Sequence, residues 1–357
     1  MKFVFRTDAS LSIGNGHVMR CLSLAQALRA HGGACVFVCT SDVGNLNALV
    51  SSHGFAVCSL PVFPNETRTH SEQLLSLWRE DALATIQALQ TLKPVDWLIL
   101  DHYGLDQQWE QELRPHVGQL MVIDDLANRA HACDILLDQN PGRLAEDYAH
   151  WVPSNCKVLT GPSFAMLRED ITDHHPKTGF NAASNDIANI LISLGGVDSD
   201  NITGQVLQAL QSFKPAKPLA IQVVMGPNAP WIDSVKSQSA AMYFPTRVLQ
   251  NPGNFADLMC EQTLAIGAAG SSALERCYLR LASINLVLAA NQRLSATALH
   301  AAGACVLLEM TPGWQDYLLD HLAGLLKTDQ LMAMQQACSE ITDGQGTRRV
   351  RQELLHV

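Results

Sequence analysis

Basic residues are scarce in this chain. Lysine and arginine number 24 against 34 aspartates and glutamates, a formal net charge of −10. That balance excludes broad binding to nucleic acid or to an anionic membrane surface, since both need basic side chains to neutralise phosphates. The local exception is Arg348, Arg349 and Arg351 near the C-terminal end, which read as a solvated face or an interdomain contact. Long hydrophobic runs are missing too. None approaches the ~20 apolar residues that span a bilayer, so membrane insertion is not expected. The opening Met-Lys-Phe-Val-Phe-Arg-Thr-Asp is a short strand broken by charge and lacks the apolar centre of a signal peptide. There is no Cys-x-x-Cys pair, so the ten cysteines carry no paired metal signature. Cys35, Cys39, Cys58 and Cys305 lie in apolar strand-like runs, where a thiol behaves as a small hydrophobe. Reduced thiols and the cytoplasm are the expectation. No tract is biased enough to form a long disordered arm.

What is present is enough apolar material for two cores: 357 residues, 47% of them hydrophobic. Short runs of Val, Ile and Leu alternate with longer helix-periodic stretches, the pattern of parallel sheets covered by helices on both faces. Strands are expected at 2–8, 34–40, 55–60, 96–101, 120–125 and 134–138, with helices over 17–30 and 71–92. The period fails between 165 and 187, where Pro, Gly and Asn signal a linker. Strands resume at 187–194, 219–225, 263–266, 283–288 and 304–308, followed by a helical tail from about 315. The expected fold is α/β, two Rossmann-like doubly wound domains facing a cleft: residues 1–170 with the sugar and catalytic site, 187–345 with the nucleotide site, and a final helix over 346–357 that packs back toward the first domain. Such sheets bind ligands at their strand carboxyl ends.

The sharpest local signal is Gly14-Asn15-Gly16-His17-Val18-Met19-Arg20, between the first strand and the first helix. The glycines allow positive φ and close approach of a ligand to backbone. The helix start offers unpaired N–H groups to a phosphate or a developing anion, a position that suits His17 as a general base. A histidine merely packed at a helix start is the competing explanation. Arg6, Asp8 and Ser10 precede the loop, so polar groups converge there. Asp101-His102-Tyr103-Gly104 ends another strand on the same edge, and either supports His17, the water or the sugar through Tyr103 or Asp101, or simply forms a turn. Asp124-Asp125 closes the next strand; turn capping is favoured over metal binding.

In the second half, Gly195-Gly196 follows the first strand and can cradle a pyrophosphate. The Asp198-Ser199-Asp200 triplet matches a metal-holding pattern, but helix capping explains it without a metal. Gly270-Ser271-Ser272 leads into a helix, with serines as phosphate donors and Glu275 as acceptor for ribose hydroxyls; a capping box is the structural alternative. Asn291 and Gln292 leave the next strand with two amides able to read sugar hydroxyl or acetamido groups.

Together these segments, with Ile123-Asp124-Asp125, Asp138-Gln139-Asn140, Gly161-Pro162, Ala165-Met166-Leu167-Arg168 and Glu275-Arg276-Cys277, resemble the UDP-2,4-diacetamido-2,4,6-trideoxy-β-L-altropyranose hydrolases of pseudaminic acid biosynthesis. That family is similar in fold to the lipid-linked N-acetylglucosaminyltransferase of peptidoglycan synthesis, a two-lobed enzyme of the GT-B type. The resemblance implies a cytoplasmic enzyme of pseudaminic acid biosynthesis and flagellin glycosylation. His17 falls on the catalytic histidine, Tyr103 on the supporting tyrosine and Glu275 on the ribose-binding glutamate. Arg6, Asp8, Gly14, Asn15, Gly16, Arg20, Asp101, Asn291 and Gln292 are expected at the sugar, and Gly195, Gly196, Ser271, Ser272 and Glu275 at UDP. Leu279-Arg280-Leu281-Ala282 departs from the Gly-Leu-Pro pattern before the next strand, a change of turn geometry. Inverting, metal-independent hydrolysis with no cofactor is the implied chemistry, with a UDP-sugar as the partner. The rival functions are a glycosyltransferase of the same fold and a non-catalytic sugar-nucleotide binding protein.

Overall fold

The computed structural model of the chain describes residues 1–62, 70–174, 187–327 and 329–356. It divides into one unit of Met1–Met166 with Gln345–Val357 and another of Leu167–Gly344. In both, the β-branched and aliphatic runs seen in the sequence form parallel strands buried on both faces.

The first unit holds β1 (Lys2–Thr7), β2 (Ala34–Thr40), β3 (Ala56–Leu60), β4 (Trp97–Asp101), β5 (Gln119–Ile123), β6 (Ile135–Asp138) and β7 (Lys157–Thr160). They lie side by side in the order β3-β2-β1-β4-β5-β6-β7, with parallel pairings such as Phe5 opposite Phe37 and Ile99. Helices α1 (Gly16–Arg29), α2 (Asn47–Ser52), α3 (His70–Leu92) and α4 (Gln107–Leu113) connect them. Because strand side chains alternate, Phe3 and Phe5 join Leu24 and Leu28 of α1 in one core, while Val4 faces a second core with Leu89 and Trp109. Truncating a fully buried residue such as Leu24 to Ala would cost about 2–5 kcal/mol.

The second unit opens with α5 (Glu169–Thr172) and carries β8 (Ala188–Ser193), β9 (Leu219–Met225), β10 (Thr246–Gln250), β11 (Leu264–Ala268), β12 (Ser283–Val287) and β13 (Val306–Glu309). Their order is β10-β9-β8-β11-β12-β13, again parallel. Between them run α6 (Ile202–Leu210), α7 (Ile232–Ala240), α8 (Phe255–Cys260), α9 (Ser272–Tyr278), α10 (Gln292–Ala301), α11 (Trp314–Leu325) and α12 (Gln330–Cys338). The last helix, α13 (Gly346–Leu355), returns to the first unit and buries Val350 and Leu354 in the core that contains α1. Gly346 permits that return, because a Cβ there would stand 2.2 Å from the carbonyl oxygen of Ala165.

The α/β doubly wound class is as expected. Two strands were not: β7 and β10 are short and carry Lys157, Thr160, Thr246, Arg247 and Gln250. Both are sheet edges, where one side needs no apolar cover, so the periodic signal is weak. The division between units falls at Met166, ahead of the expected 170, because residues 168–174 bond into the second unit. Arg168 reaches Glu275 at 2.9 Å and His174 reaches Asp257 at 2.7 Å. Positions 175–186 of the expected linker lie outside the described residues. Among the described residues no helix is long and apolar enough to cross a membrane.

In each sheet the winding direction reverses once, between β1 and β4 and between β8 and β11. At such a reversal the flanking connections leave to opposite faces and open a crevice at the strand carboxyl ends.

Candidate active site

The first reversal gathers the loop after β1, the start of α1 and the end of β4. His17 is in the first turn of α1, and its Nδ1 lies 2.5 Å from Asp101 Oδ1 at the last position of β4. Arg20, one turn on, grips the same carboxylate, with Nε donating to Oδ2 at 2.6 Å and Nη2 to Oδ1 at 2.7 Å. Burial pushes Asp101 toward the neutral acid, but Arg20 and then His17 overcome it and hold the group well below the usual carboxylate range. Arg20 Nη2 also stands 3.2 Å from His17 Nδ1. The Asp101 carboxylate can only accept, so its short contact calls for a proton on His17 Nδ1. His17 is only 6% exposed, yet Nε2 is neither enclosed nor bonded to the described residues.

Asp125, just past β5, ties the rest together. It accepts from Arg20 Nη1 at 2.8 and 3.1 Å, from Tyr103 Oη at 2.6 Å and from Asn140 Nδ2 at 3.2 Å. The Tyr103 and His17 rings meet edge to face, with centroids 4.4 Å apart at 82°. Burial and then Asp125 push its phenol upward, so it stays protonated and donates to Asp125. Sequence reasoning missed Asp125, reading it with Asp124 as turn chemistry. Asp124 does cap the turn, accepting from the backbone of Leu126 and Ala127 at 3.0 and 2.8 Å. A strand-end pair in which one carboxylate caps leaves the other to face its neighbours, the signal that could have found it.

Two residues expected at the substrate are engaged within the first unit. Arg6 and Asp8 are 0% and 1% exposed and face inward. Arg6 Nη1 lies 2.7 Å from Asp8 Oδ1 and its Nη2 donates to Asp81 of α3 at 2.5 Å, while Asp8 also accepts from the Thr40 backbone at 2.7 Å. A guanidinium buried beneath strand ends needs carboxylates around it, and the pairing holds α3 to the sheet. By contrast Gly14, with φ +81°, turns the loop ahead of α1, and Gly16 is exposed. Asn15 makes no cap to α1, and its Oδ1 is buried without a hydrogen-bond partner among the described residues.

In the second unit the reversal between β8 and β11 brings its expected residues to one edge. Gly195 has φ +99°, and the Gly196 carbonyl packs so close to Gly226 that a Cβ there would meet it at 1.9 Å. Asp198 accepts from the backbone of Ile202 and Thr203 at the start of α6, at 2.8 and 3.0 Å, and Asn201 is the N-cap, accepting from Gly204 N at 3.1 Å. The capping-box alternative at α9 is not formed: Ser271 makes no side-chain cap, and Glu275 turns to Arg168. Ser271 is exposed and Ser272 half-buried. Asn291 immediately precedes α10, and Gln292 Oε1 accepts from Leu288 N at 3.0 Å, bracing the exit of β12. A surface recess of about 400 Å³ at the opposite edge of the first sheet is lined by Arg114, Cys133, Asp134 and Asn155. Arg114 and Asp134 bond to each other there at 2.6 Å.

The geometry defines a class first: an α/β protein of GT-B architecture, with a His-Asp-Arg cluster at the switch point of its first sheet. MurG of Acinetobacter baumannii shares this fold over 100% of the chain and 99% of its own length, at TM-score 0.67 and 18% identity. More particularly, the chain is similar to the UDP-2,4-diacetamido-2,4,6-trideoxy-beta-L-altropyranose hydrolase of Campylobacter jejuni, 27% identical over 304 residues that cover 85% of the chain and 97% of that protein. It is also 24% identical to the spore coat polysaccharide biosynthesis protein SpsG of Bacillus subtilis, over 72% of the chain and 76% of the relative. No family model matches. The resemblance drawn from the motifs thus extends to most of the chain.

Proposed function

We propose that this protein hydrolyses a UDP-sugar at its anomeric C–O bond, with His17 as general base. The observation that carries the reading is the ring of His17 at the start of α1, its Nδ1 fixed 2.5 Å from a buried carboxylate and its Nε2 left open. A water oxygen attacks C1 and passes its proton to His17 Nε2. The bond from C1 to the β-phosphate oxygen breaks with its electron pair leaving on UDP, and attack from the opposite face inverts the carbon. UDP is a good leaving group, so its departure calls for hydrogen-bond donors rather than an acid.

Asp101 and Arg20 set the tautomer, and Tyr103 fixes the ring plane. Gly14 and Gly16 admit the sugar close to backbone, with Asn15 between them. UDP belongs to the second unit, with Gly195, Gly196, Ser271 and Ser272 at the diphosphate and Glu275 at the ribose; Asn291 and Gln292 contribute to the sugar. The likeness to the Campylobacter jejuni hydrolase supports UDP-2,4-diacetamido-2,4,6-trideoxy-β-L-altropyranose as substrate, hence a cytoplasmic step of pseudaminic acid biosynthesis serving flagellin glycosylation.

The test is UDP release from that substrate in excess EDTA with no acceptor present. Stoichiometric UDP and free sugar, with one oxygen from labelled water at C1, is the expected result. Release that requires an added acceptor alcohol would make the protein a glycosyltransferase, binding without release would make it a non-catalytic receptor, and rescue by magnesium would overturn metal independence.

A further inference from the structure

Arg168 has no part in the chemistry above, yet it is built into the second unit with care. Its Nε donates to Glu275 Oε1 at 2.9 Å. Its guanidinium lies over the Phe255 ring, 5.3 Å from the centroid, and 3.6 Å from Asp170. The arginine precedes α5, whereas Glu275 is in the first turn of α9, and each is anchored by its own element.

The glutamate has only 13% of its side chain exposed. A carboxylate in that setting resists ionisation and, unless held, samples several rotamers. Burial does push Glu275 upward, with Arg168 the largest opposing influence and Asp170 and Arg276 also facing it. One oxygen is engaged by Arg168. The other is neither enclosed nor bonded to the described residues.

We propose that Arg168 is a positioning residue for the nucleotide: it pins one oxygen of Glu275 so that the other meets the ribose hydroxyls. The inference rests on the assignment of Glu275 to the ribose. It makes Arg168 act through Glu275, with no contact of its own to the ligand. Removing it releases the carboxylate and lowers its charge, so the charge-assisted bond to the hydroxyls weakens.

The test compares UDP with 2′-deoxy-UDP by calorimetry on the full chain, in wild type and Arg168→Met. Wild type should favour UDP by about tenfold, the worth of one hydrogen bond to a charged group. Arg168→Met should weaken UDP about tenfold and 2′-deoxy-UDP by less than about twofold, so the preference collapses. Equal weakening of both ligands, or no change in either, would overturn the inference, since an arginine that touches the diphosphate or merely stabilises the unit cannot tell the two apart. If Arg168→Met does not fold, Arg168→Gln is read in the same way. Wild-type protein that binds both ligands alike, or neither, would remove the ribose assignment itself.

Discussion

Asp101→Asn keeps the shape of a buried side chain and removes its charge, which separates two effects. The carboxylate accepts from Arg20 at 2.6 and 2.7 Å and faces His17 Nδ1 at 2.5 Å, fully buried. Breaking a buried pair costs about 3–5 kcal/mol. Arg20 keeps Asp125 as a second partner, so the low end, about 3 kcal/mol, applies. For a unit of this size that lowers the melting temperature by about 6–12 °C. Arg20 and His17 hold Asp101 low against burial, so its stabilisation is complete above the unfolded value near ~3.9. It fades as pH falls below that value, so the gap between wild type and variant should narrow toward pH 3. The second effect is on turnover. An amide that turns its NH₂ to His17 Nδ1 forces the ring proton to Nε2, and the base is lost. Turnover per folded molecule should fall about 10²–10⁴-fold, measured as UDP release alongside thermal melting. A folded Asp101→Asn protein with kcat within about threefold of wild type would refute the tautomer argument.

Glu275→Ala should weaken UDP binding by about 1–3 kcal/mol; unchanged calorimetric affinity would remove UDP from that turn. Asp138, pushed up to about 6 by burial and then by Asp125, binds its proton more tightly folded than unfolded, so the native state loses stability as pH rises from 4 to 7. Asp138→Asn should therefore gain on wild type by up to about 3 kcal/mol over that range, and parallel denaturation curves would contradict it. Arg6→Met should cost about 3–5 kcal/mol in urea unfolding while turnover per folded molecule stays within about twofold; a folded variant with lost turnover would return Arg6 to the substrate.

The fold was legible because its central strands, such as residues 97–100 and 190–192, are apolar on both faces, and a continuous run of that kind has few other uses. The edge strands β7 and β10 were not, since half their groups meet water. At the site, motif spacing located His17, Arg20, Asp101 and Tyr103 because each lies beside a strand end at one sheet reversal. Arg6 and Asp8 are on that same edge, but a linear sequence does not say which way a side chain at the end of β1 points, and their partner Asp81 is on α3. Asp125 and Arg168 were passed over for a related reason: their roles are fixed by partners 105 and 107 positions away, Arg20 and Glu275.

The central claim is that His17 is the base, and acceptor-free UDP release by wild type and His17→Asn, with UDP affinity and melting measured on the same preparations, tests it most directly. The account predicts a folded variant that binds UDP almost normally and releases it about 10²–10⁴-fold more slowly. A folded His17→Asn protein with near wild-type turnover would contradict it.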